Sequence, residues 1–103
     1  MNKKIRVLQL LDSLHAGGAE VLAVNIANAL SNEGVESHLC VTRNEGPLKE
    51  YIEPAVQYLF LKRKKTVDIK VIKKLKNYIK KNNISIIHAH STSYFLAICV
   101  KLM

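Results

Sequence analysis

The sequence is poor in cysteine and lacks long hydrophobic runs. Its 103 residues contain two cysteines, Cys40 and Cys99, which lie far apart in apolar stretches without CxxC spacing. Two distant cysteines in apolar surroundings indicate reduced, buried thiols rather than a metal site. No apolar run approaches the ~18 residues of a membrane-spanning helix, and the N-terminus lacks the small-residue cleavage site of a signal peptide. We therefore expect a cytoplasmic protein.

Acidic residues and tryptophan are also scarce. The chain has 16 Lys and Arg against 8 Asp and Glu, which gives a formal net charge of +8, and it has no Trp. This excess favours a polyanionic partner. Because base-stacking aromatic motifs are missing, we expect no nucleic acid. An acidic membrane is an alternative to a merely solvated surface, and its candidate contacts are Lys62, Arg63, Lys64, Lys65, Lys73 and Lys74.

Short apolar segments alternate with helical patterns along the chain. Nearly continuous apolar runs predict strands over 5–11, 35–42, 56–61 and 84–90. Helical patterns cover 19–33, 47–52, 66–83 and 91–103, where Ser91 or Thr92 caps the last helix. This β-α-β-α-β-α-β-α order is typical of an α/β, Rossmann-like domain with a doubly wound parallel sheet. We expect one such domain over 1–103.

The two longer predicted helices are amphipathic. In the first, the residues expected to face the sheet are Ala19, Leu22, Ala23, Ile26 and Leu30. In the second, they are Val71, Leu75, Tyr78 and Ile79, with lysines on the opposite face.

Gly17 and Gly18 lie where the first strand turns into the first helix. In a doubly wound sheet, the ligand crevice lies beyond the carboxyl ends of the strands, and this turn forms its floor. Residues without a Cβ permit positive φ and let a phosphate or sugar approach the helix amides. A tight turn alone also needs glycine, and HAGGAE is not the GxGxxG fingerprint. Both a structural and a ligand-binding interpretation are therefore open.

The segment IIHAHS at 86–91 contains two histidines on one face of a strand that we expect beside the first. His90 stands at the carboxyl end, so we expect it to face the crevice outside the core. His88 lies one step deeper, where we expect a buried, structural role. A structural hydrogen bond is the alternative for His90. An HxH pair can also bind a metal, but no carboxylate or thiol lies near enough in sequence to complete a site.

The segment LQLLDSLHAGGAEVLAVNIANALSNEGVESHLCVT, followed downstream by IIHAHS, resembles a known family. It is similar to the N-terminal, acceptor-side domain of the retaining, GT-B-fold glycosyltransferases of family 4. The resemblance runs from about Ile5 to Tyr94. It depends on the GGAE element in combination with the NIANAL helix and the HxH element.

The resemblance implies transfer of a sugar from a nucleotide-sugar donor to an acceptor, with retention of configuration and no metal or other cofactor. Surface polysaccharide or glycolipid synthesis is the implied setting. At the matching positions, His90 would be the catalytic contact near the reacting sugar carbon. Gly17 and Gly18 would border the donor phosphates and the acceptor, and Glu20 and Ser91 would contact substrate. For Glu20, a carboxylate that stabilises the first helical turn is an equal alternative.

This chain departs from the family pattern in three places. Val21 stands where the family often has Arg, Ser85 stands where it often has Asp, and the chain stops at Met103. We therefore expect the truncated N-terminal half of a GT-B fold, without its donor-binding domain and inactive by itself. Members acting on lipid-linked acceptors lie against acidic membrane, so a peripheral position on its inner face is expected.

Two other functions compete with sugar transfer. An NAD(P)-binding Rossmann domain would use Arg43, after the second strand, for the extra phosphate, but the third fingerprint glycine is missing. A non-enzymatic basic module would bind acidic membrane through the lysines.

Overall fold

The computed structural model describes residues 4–65 and 68–90, together with Ala97. Its strands are β1 (Arg6–Ser13), β2 (Glu36–Asn44), β3 (Gln57–Phe60) and β4 (Ile86–Ala89). Its α-helices are α1 (Gly18–Asn32) and α2 (Ile69–Lys81), and a short 3-10 helix spans Pro47–Tyr51. The rest of the last predicted helix, with its Ser91 or Thr92 cap and Cys99, lies outside the described residues.

The four strands form one parallel sheet in the order β3-β2-β1-β4. The first strand therefore pairs with β2 on one side and with β4 on the other, which confirms the predicted position of the HxH strand. Ser85 fixes the start of β4, because its backbone N–H donates to the Arg6 carbonyl at 2.8 Å.

Helices cover both faces of the sheet. On one face, apolar side chains of β1 and β2 pack against Val71, Ile72 and Leu75 of α2, and Ala97 adds to this cluster. On the other face, Leu11, Leu39 and Val41 pack against Ala23, Val24 and Ala27 of α1. This arrangement confirms the doubly wound, Rossmann-like α/β fold. Cys40 lies in the α2-side core as a buried, free thiol, and burial raises its pKa.

The inward face of α1 differs from the prediction. Ala23, Val24 and Ala27 are buried, whereas Leu22 was expected to face the sheet and is 53% exposed. Alanines let the helix approach the strands closely, and α1 carries apolar side chains on more than one face. Apolar periodicity therefore does not determine the rotation of this helix about its axis.

The helix ends have identifiable signals. Gly34 follows α1 with a φ of 81°, in the left-handed region that favours glycine after the end of a helix. Asp68 caps α2, because its carboxylate accepts a hydrogen bond from the Val71 backbone N–H at 3.3 Å.

At the amino edge of the sheet, a buried histidine ties α2 to β2. The Tyr78 hydroxyl lies 2.6 Å from His38 Nδ1, and the Glu36 carboxylate lies 2.8 Å from His38 Nε2. Burial raises the pKa of Tyr78 to about 12. The hydrogen bond from His38, together with Lys4 and Arg6, lowers the pKa of Glu36. This edge faces away from the predicted crevice, so the cluster has a structural role.

Candidate functional site at the carboxyl edge of the sheet

The candidate site lies where the chain leaves the carboxyl ends of β1 and β4. From β1 the chain continues to β2 and β3 on one side of the sheet and then returns to β4 on the other side. The direction in which strands are added therefore reverses between β1 and β4. Such a switch point is where ligands bind in open α/β sheets. The glycine turn follows β1 and His90 follows β4, so the fold brings Gly17, Gly18, Glu20 and His90 to one edge. Ser91 lies outside the described residues.

The glycine turn lacks the positive φ that glycine permits, but Gly18 has the open space around it that a ligand would need. Gly17 is the N-cap of α1 with φ −98° and ψ 167°, and among the described glycines only Gly34 has a positive φ. Neither glycine of the pair is therefore required by left-handed geometry. A Cβ on Gly17 would lie 2.6 Å from Glu20 Oε1, whereas a Cβ on Gly18 would have no protein atom within 4 Å. Gly18 therefore leaves open space at the start of the helix.

The amino end of α1 has no side-chain cap from Gly17. Glu20, in the first turn, folds back over Gly17, and its Oε2 accepts a hydrogen bond from the Ser13 hydroxyl at 3.1 Å. A carboxylate in the first turn also interacts favourably with the helix dipole. These contacts support the structural alternative for Glu20.

His88, in β4, and His90, directly after β4, have the opposite exposures to those predicted. His90 is only 6% exposed, and its Nε2 lies 2.7 Å from Oε1 of the buried Gln9. His88 is exposed, and its ring centroid lies 4.1 Å from that of His90. The contact with Gln9 of the neighbouring strand β1 holds the His90 ring against the sheet. Burial, and next the nearby His88, lower the pKa of His90.

A buried ion pair at the same edge was not predicted. Arg63 Nη2 donates to Asp12 Oδ1 at 2.9 Å, and the Thr42 hydroxyl donates to the same oxygen at 2.5 Å. The Arg63 backbone N–H also donates to the Thr42 carbonyl. Arg63 is 5% exposed, so the prediction that it contacts a membrane with its lysine neighbours was wrong. Its guanidinium instead joins β1 to the loop after β3.

Gly46, which brings two loops together at this edge, was also not predicted from the sequence. A Cβ there would lie 2.6 Å from the Leu14 carbonyl oxygen and 2.9 Å from the His15 backbone nitrogen. The loop after β2 therefore touches the loop after β1, and the Leu48 N–H donates to the Leu14 carbonyl at 3.0 Å. The position before Pro47, in a sequence with four glycines, was the available signal.

Lysines surround the loop after β3. Lys62, Lys64 and Lys65 are exposed, and Lys62 adopts a left-handed φ of 56°. A groove of about 610 Å³ runs from this loop to the start of α2, and the basic residues that line it are Lys62, Lys64, Lys65, Lys70 and Lys74. Lys73 is exposed on the same helix. We define these six lysines as the lysine face.

Two further properties concern only the described part of the chain. No three of its His, Cys, Asp and Glu side chains come together as a group that could hold a metal ion. None of its helices has the length and apolar character needed to cross a membrane.

One comparison with known proteins supports this fold. A search of curated proteins found no significant match. The model of glycosyltransferase family 4 matches residues 16–103, which include the glycine turn, both histidines and the lysine face. This match favours glycosyl transfer over the dinucleotide-binding alternative that assigned a role to Arg43. The chain therefore belongs to glycosyltransferase family 4, which indicates a glycosyltransferase at the level of that family.

Proposed function

We propose that this chain is the N-terminal, acceptor-side domain of a transferase that moves a sugar from a nucleotide-sugar donor to an acceptor with retention of configuration. The observation that carries the proposal is the position of the glycine turn and His90 on either side of the β1/β4 switch point. A second, donor-binding domain would complete the cleft. Surface polysaccharide or glycolipid synthesis is the proposed setting, and no metal or other cofactor takes part.

The proposed roles follow from the contacts at this edge. Gly18 lets a donor phosphate or an acceptor oxygen approach the amino end of α1, where the backbone amides favour an anion. His90 keeps a neutral ring at pH 7, because its pKa lies below the ordinary value of about 6.5. The contact between Nε2 and Gln9 Oε1 holds the His90 ring at the edge of the sheet where a sugar would bind.

Kinetics of the complete transferase test these roles. We expect His90→Ala to lower kcat on the order of 10²-fold, the scale for losing one well-placed polar group. Gly18→Ala should raise KM, because its methyl group fills space that the substrate needs and touches no protein atom. His88→Ala, on the exposed neighbour, is the matched control. Near-normal turnover by folded His90→Ala enzyme would contradict the assignment.

We further propose a cytoplasmic protein that lies peripherally on the inner, anionic face of a membrane. The lysine face supports this, because its groove joins five lysine side chains to the exposed Ile69. Each basic residue near such a surface contributes about 1 kcal/mol of attraction. The lysine face and the candidate site share the carboxyl edge of the sheet, so docking there would bring the cleft close to lipid-linked acceptors.

A further inference from the structure

The polar side chain of Gln9 lies inside an otherwise apolar part of β1. Gln9 is 1% exposed, and its apolar neighbours along the strand are also buried, namely Val7, Leu8, Leu10 and Leu11. A buried carboxamide lowers stability unless it is hydrogen-bonded, whereas an apolar side chain at this position would need no partner. The apolar core alone therefore does not require a glutamine here, and the hydrogen-bond partner of Gln9 indicates its role.

That partner is His90, which lies beyond the register position of Gln9. Gln9 stands opposite His88 in the β1/β4 pair, and His90, two residues farther along, lies on the same face of the sheet. Because Gln9 Oε1 lies 2.7 Å from His90 Nε2, the carboxamide extends toward the carboxyl edge. The backbone N–H of His90 also donates to the Leu10 carbonyl at 2.8 Å. The backbone and one ring nitrogen of His90 are therefore both held to β1.

The chemistry of the two groups determines where the ring carries its proton. A carboxamide oxygen only accepts hydrogen bonds, while a neutral imidazole has one N–H and one unprotonated nitrogen. The contact of Oε1 with Nε2 therefore requires the proton of a neutral ring to be on Nε2. The carboxamide is also uncharged, so it does not stabilise an imidazolium as a carboxylate in its place would. Burial lowers the pKa of His90 as well, so the ring is neutral at pH 7.

We propose that Gln9 is a positioning residue for His90, because its Oε1 holds the ring in one orientation and keeps the proton on Nε2. The proposal rests on the proposed glycosyl transfer, in which His90 contacts the sugar. At 1% exposure, Gln9 has almost no surface to offer a ligand, so it acts through the ring of His90. A ring held by a neutral acceptor presents the same edge to every substrate molecule, which reduces the entropy lost when the reacting groups align.

NMR of the 103-residue chain with ¹⁵N-labelled histidine tests the pairing without any substrate. Long-range proton–nitrogen spectra show which ring nitrogen carries the proton, and the His90 signals are identified by their absence from His90→Ala. We expect the proton on Nε2, with slow exchange against water because the hydrogen bond is buried. In Gln9→Leu the slowly exchanging Nε2–H signal should disappear. A proton on Nδ1 in the unaltered chain, or an unchanged ring signal in Gln9→Leu, would overturn the proposal.

Ser37→Ala is the matched control for the loss of a buried hydrogen bond. Ser37 is 1% exposed, and its hydroxyl donates to the Ala27 carbonyl at 2.8 Å, near the amino end of β2 and away from the candidate site. This variant should lose stability, as Gln9→Leu does, but it should keep the Nε2–H signal of His90. The position of the proton in the unaltered chain decides the proposal even if Gln9→Leu does not fold.

In the complete transferase, a positioning role predicts non-additive kinetics. Gln9→Leu should lower kcat by about 10-fold, because a loosely held ring reaches the productive orientation less often. In a His90→Ala background the same change should have an effect of less than about 2-fold, since no ring is left to position. Equal effects with and without His90 would indicate a general structural role and overturn the proposal. If His90→Ala lowers turnover and Gln9→Leu does not, the positioning role fails while the proposed function stands. Near-normal turnover by folded His90→Ala enzyme would contradict both.

Discussion

At the scale of single residues, burial decides what a strand-end histidine can do. His90 is nearly inaccessible and shares a 2.7 Å hydrogen bond with Gln9, which is itself 1% exposed. A solvated strand-end histidine could be removed without affecting folding. Here, removal leaves a buried carboxamide without this partner, and an unsatisfied buried polar group costs about 1–3 kcal/mol. His90 therefore contributes to stability as well as to the proposed site.

We expect His90→Ala to lower the free energy of unfolding by about 1–3 kcal/mol, as measured by urea denaturation at pH 7. His88→Ala should change it by less than about 0.5 kcal/mol, because the His88 side chain is exposed. The purely sequence-based expectation was the reverse, with His88 as the structural residue. An equal loss of stability in both variants would mean that β4 responds to any substitution and that the bond to Gln9 is unimportant.

Gly46 is the residue at which the loop after β2 touches the loop after β1, with no room for a side chain. We expect Gly46→Ala to destabilise the protein by about 1–3 kcal/mol, because the new Cβ would overlap the backbone of Leu14 and His15. The neighbouring loops would have to separate. Gly18→Ala is the control, since a Cβ there meets no protein atom and alanine is favourable in a helix. Thermal unfolding of both variants checks the prediction, and similar midpoints for the two would contradict it.

At the scale of elements, the sequence determined the kinds of element better than their orientation. Apolar runs located the four strands of the described residues, and the lysine pattern of α2 correctly predicted that Val71 and Leu75 are buried. For α1, apolar residues occur all around the helix, so only its packing against β1 and β2 shows that Val24 is inside and Leu22 is outside. Small residues at the contact with the sheet decide the rotation of α1 about its axis. A hydrophobicity pattern gives more weight to larger apolar residues such as Leu22.

The contact between α2 and β2 gives a prediction about alkaline pH. The folded pKa of Tyr78 is about 12, above the ordinary value of 10, so the folded state holds the phenolic proton more tightly. This stabilisation is complete below about pH 10 and is lost as the pH rises through about 12. We therefore expect Tyr78→Phe to flatten the fall in unfolding free energy over this range. At pH 7, loss of the bond to His38 should cost about 0.5–1.5 kcal/mol.

Urea denaturation at neutral and alkaline pH measures both effects, and tyrosinate absorbance follows the titration directly. Tyr51, whose side chain is exposed, provides the control substitution Tyr51→Phe. If the two variants lost stability equally with rising pH, burial of the Tyr78 hydroxyl would not be the source of the effect.

At the scale of the whole molecule, the sequence indicated the edge of the sheet where the candidate site lies, but it did not indicate the side-chain contacts at that edge. Parallel strands place every strand-to-helix loop at one edge, so Gly17, Gly18 and His90 could be assigned to a common crevice before any side chain was placed. In contrast, Arg63 looks like its neighbours in the run KRKK. Only the fold shows that its guanidinium turns inward to Asp12, because that ion pair joins residues distant in sequence. Contacts of this kind leave no local pattern.

The distribution of lysines over the molecule leads to the last prediction. A net charge of +8 would attract the chain to any anionic surface, whereas docking by the lysine face requires particular lysines to lie against the lipid. Lys64 and Lys65 line the groove after β3, and Lys80 and Lys81 are exposed at the opposite end of α2. The double variants Lys64→Glu/Lys65→Glu, in the loop before α2, and Lys80→Glu/Lys81→Glu, at the end of α2, therefore change the net charge equally in two different places.

We expect the Lys64→Glu/Lys65→Glu variant to lose about 10-fold or more in binding to vesicles that contain anionic phosphatidylglycerol, because each lysine contributes about 1 kcal/mol near the surface. The Lys80→Glu/Lys81→Glu variant should lose much less, since charges farther than about 8–10 Å from the membrane are screened at physiological ionic strength. Vesicle sedimentation at two salt concentrations provides the measurement. Equal losses in both variants would mean that net charge alone attracts the chain, and undiminished binding to uncharged phosphatidylcholine vesicles would contradict electrostatic docking altogether.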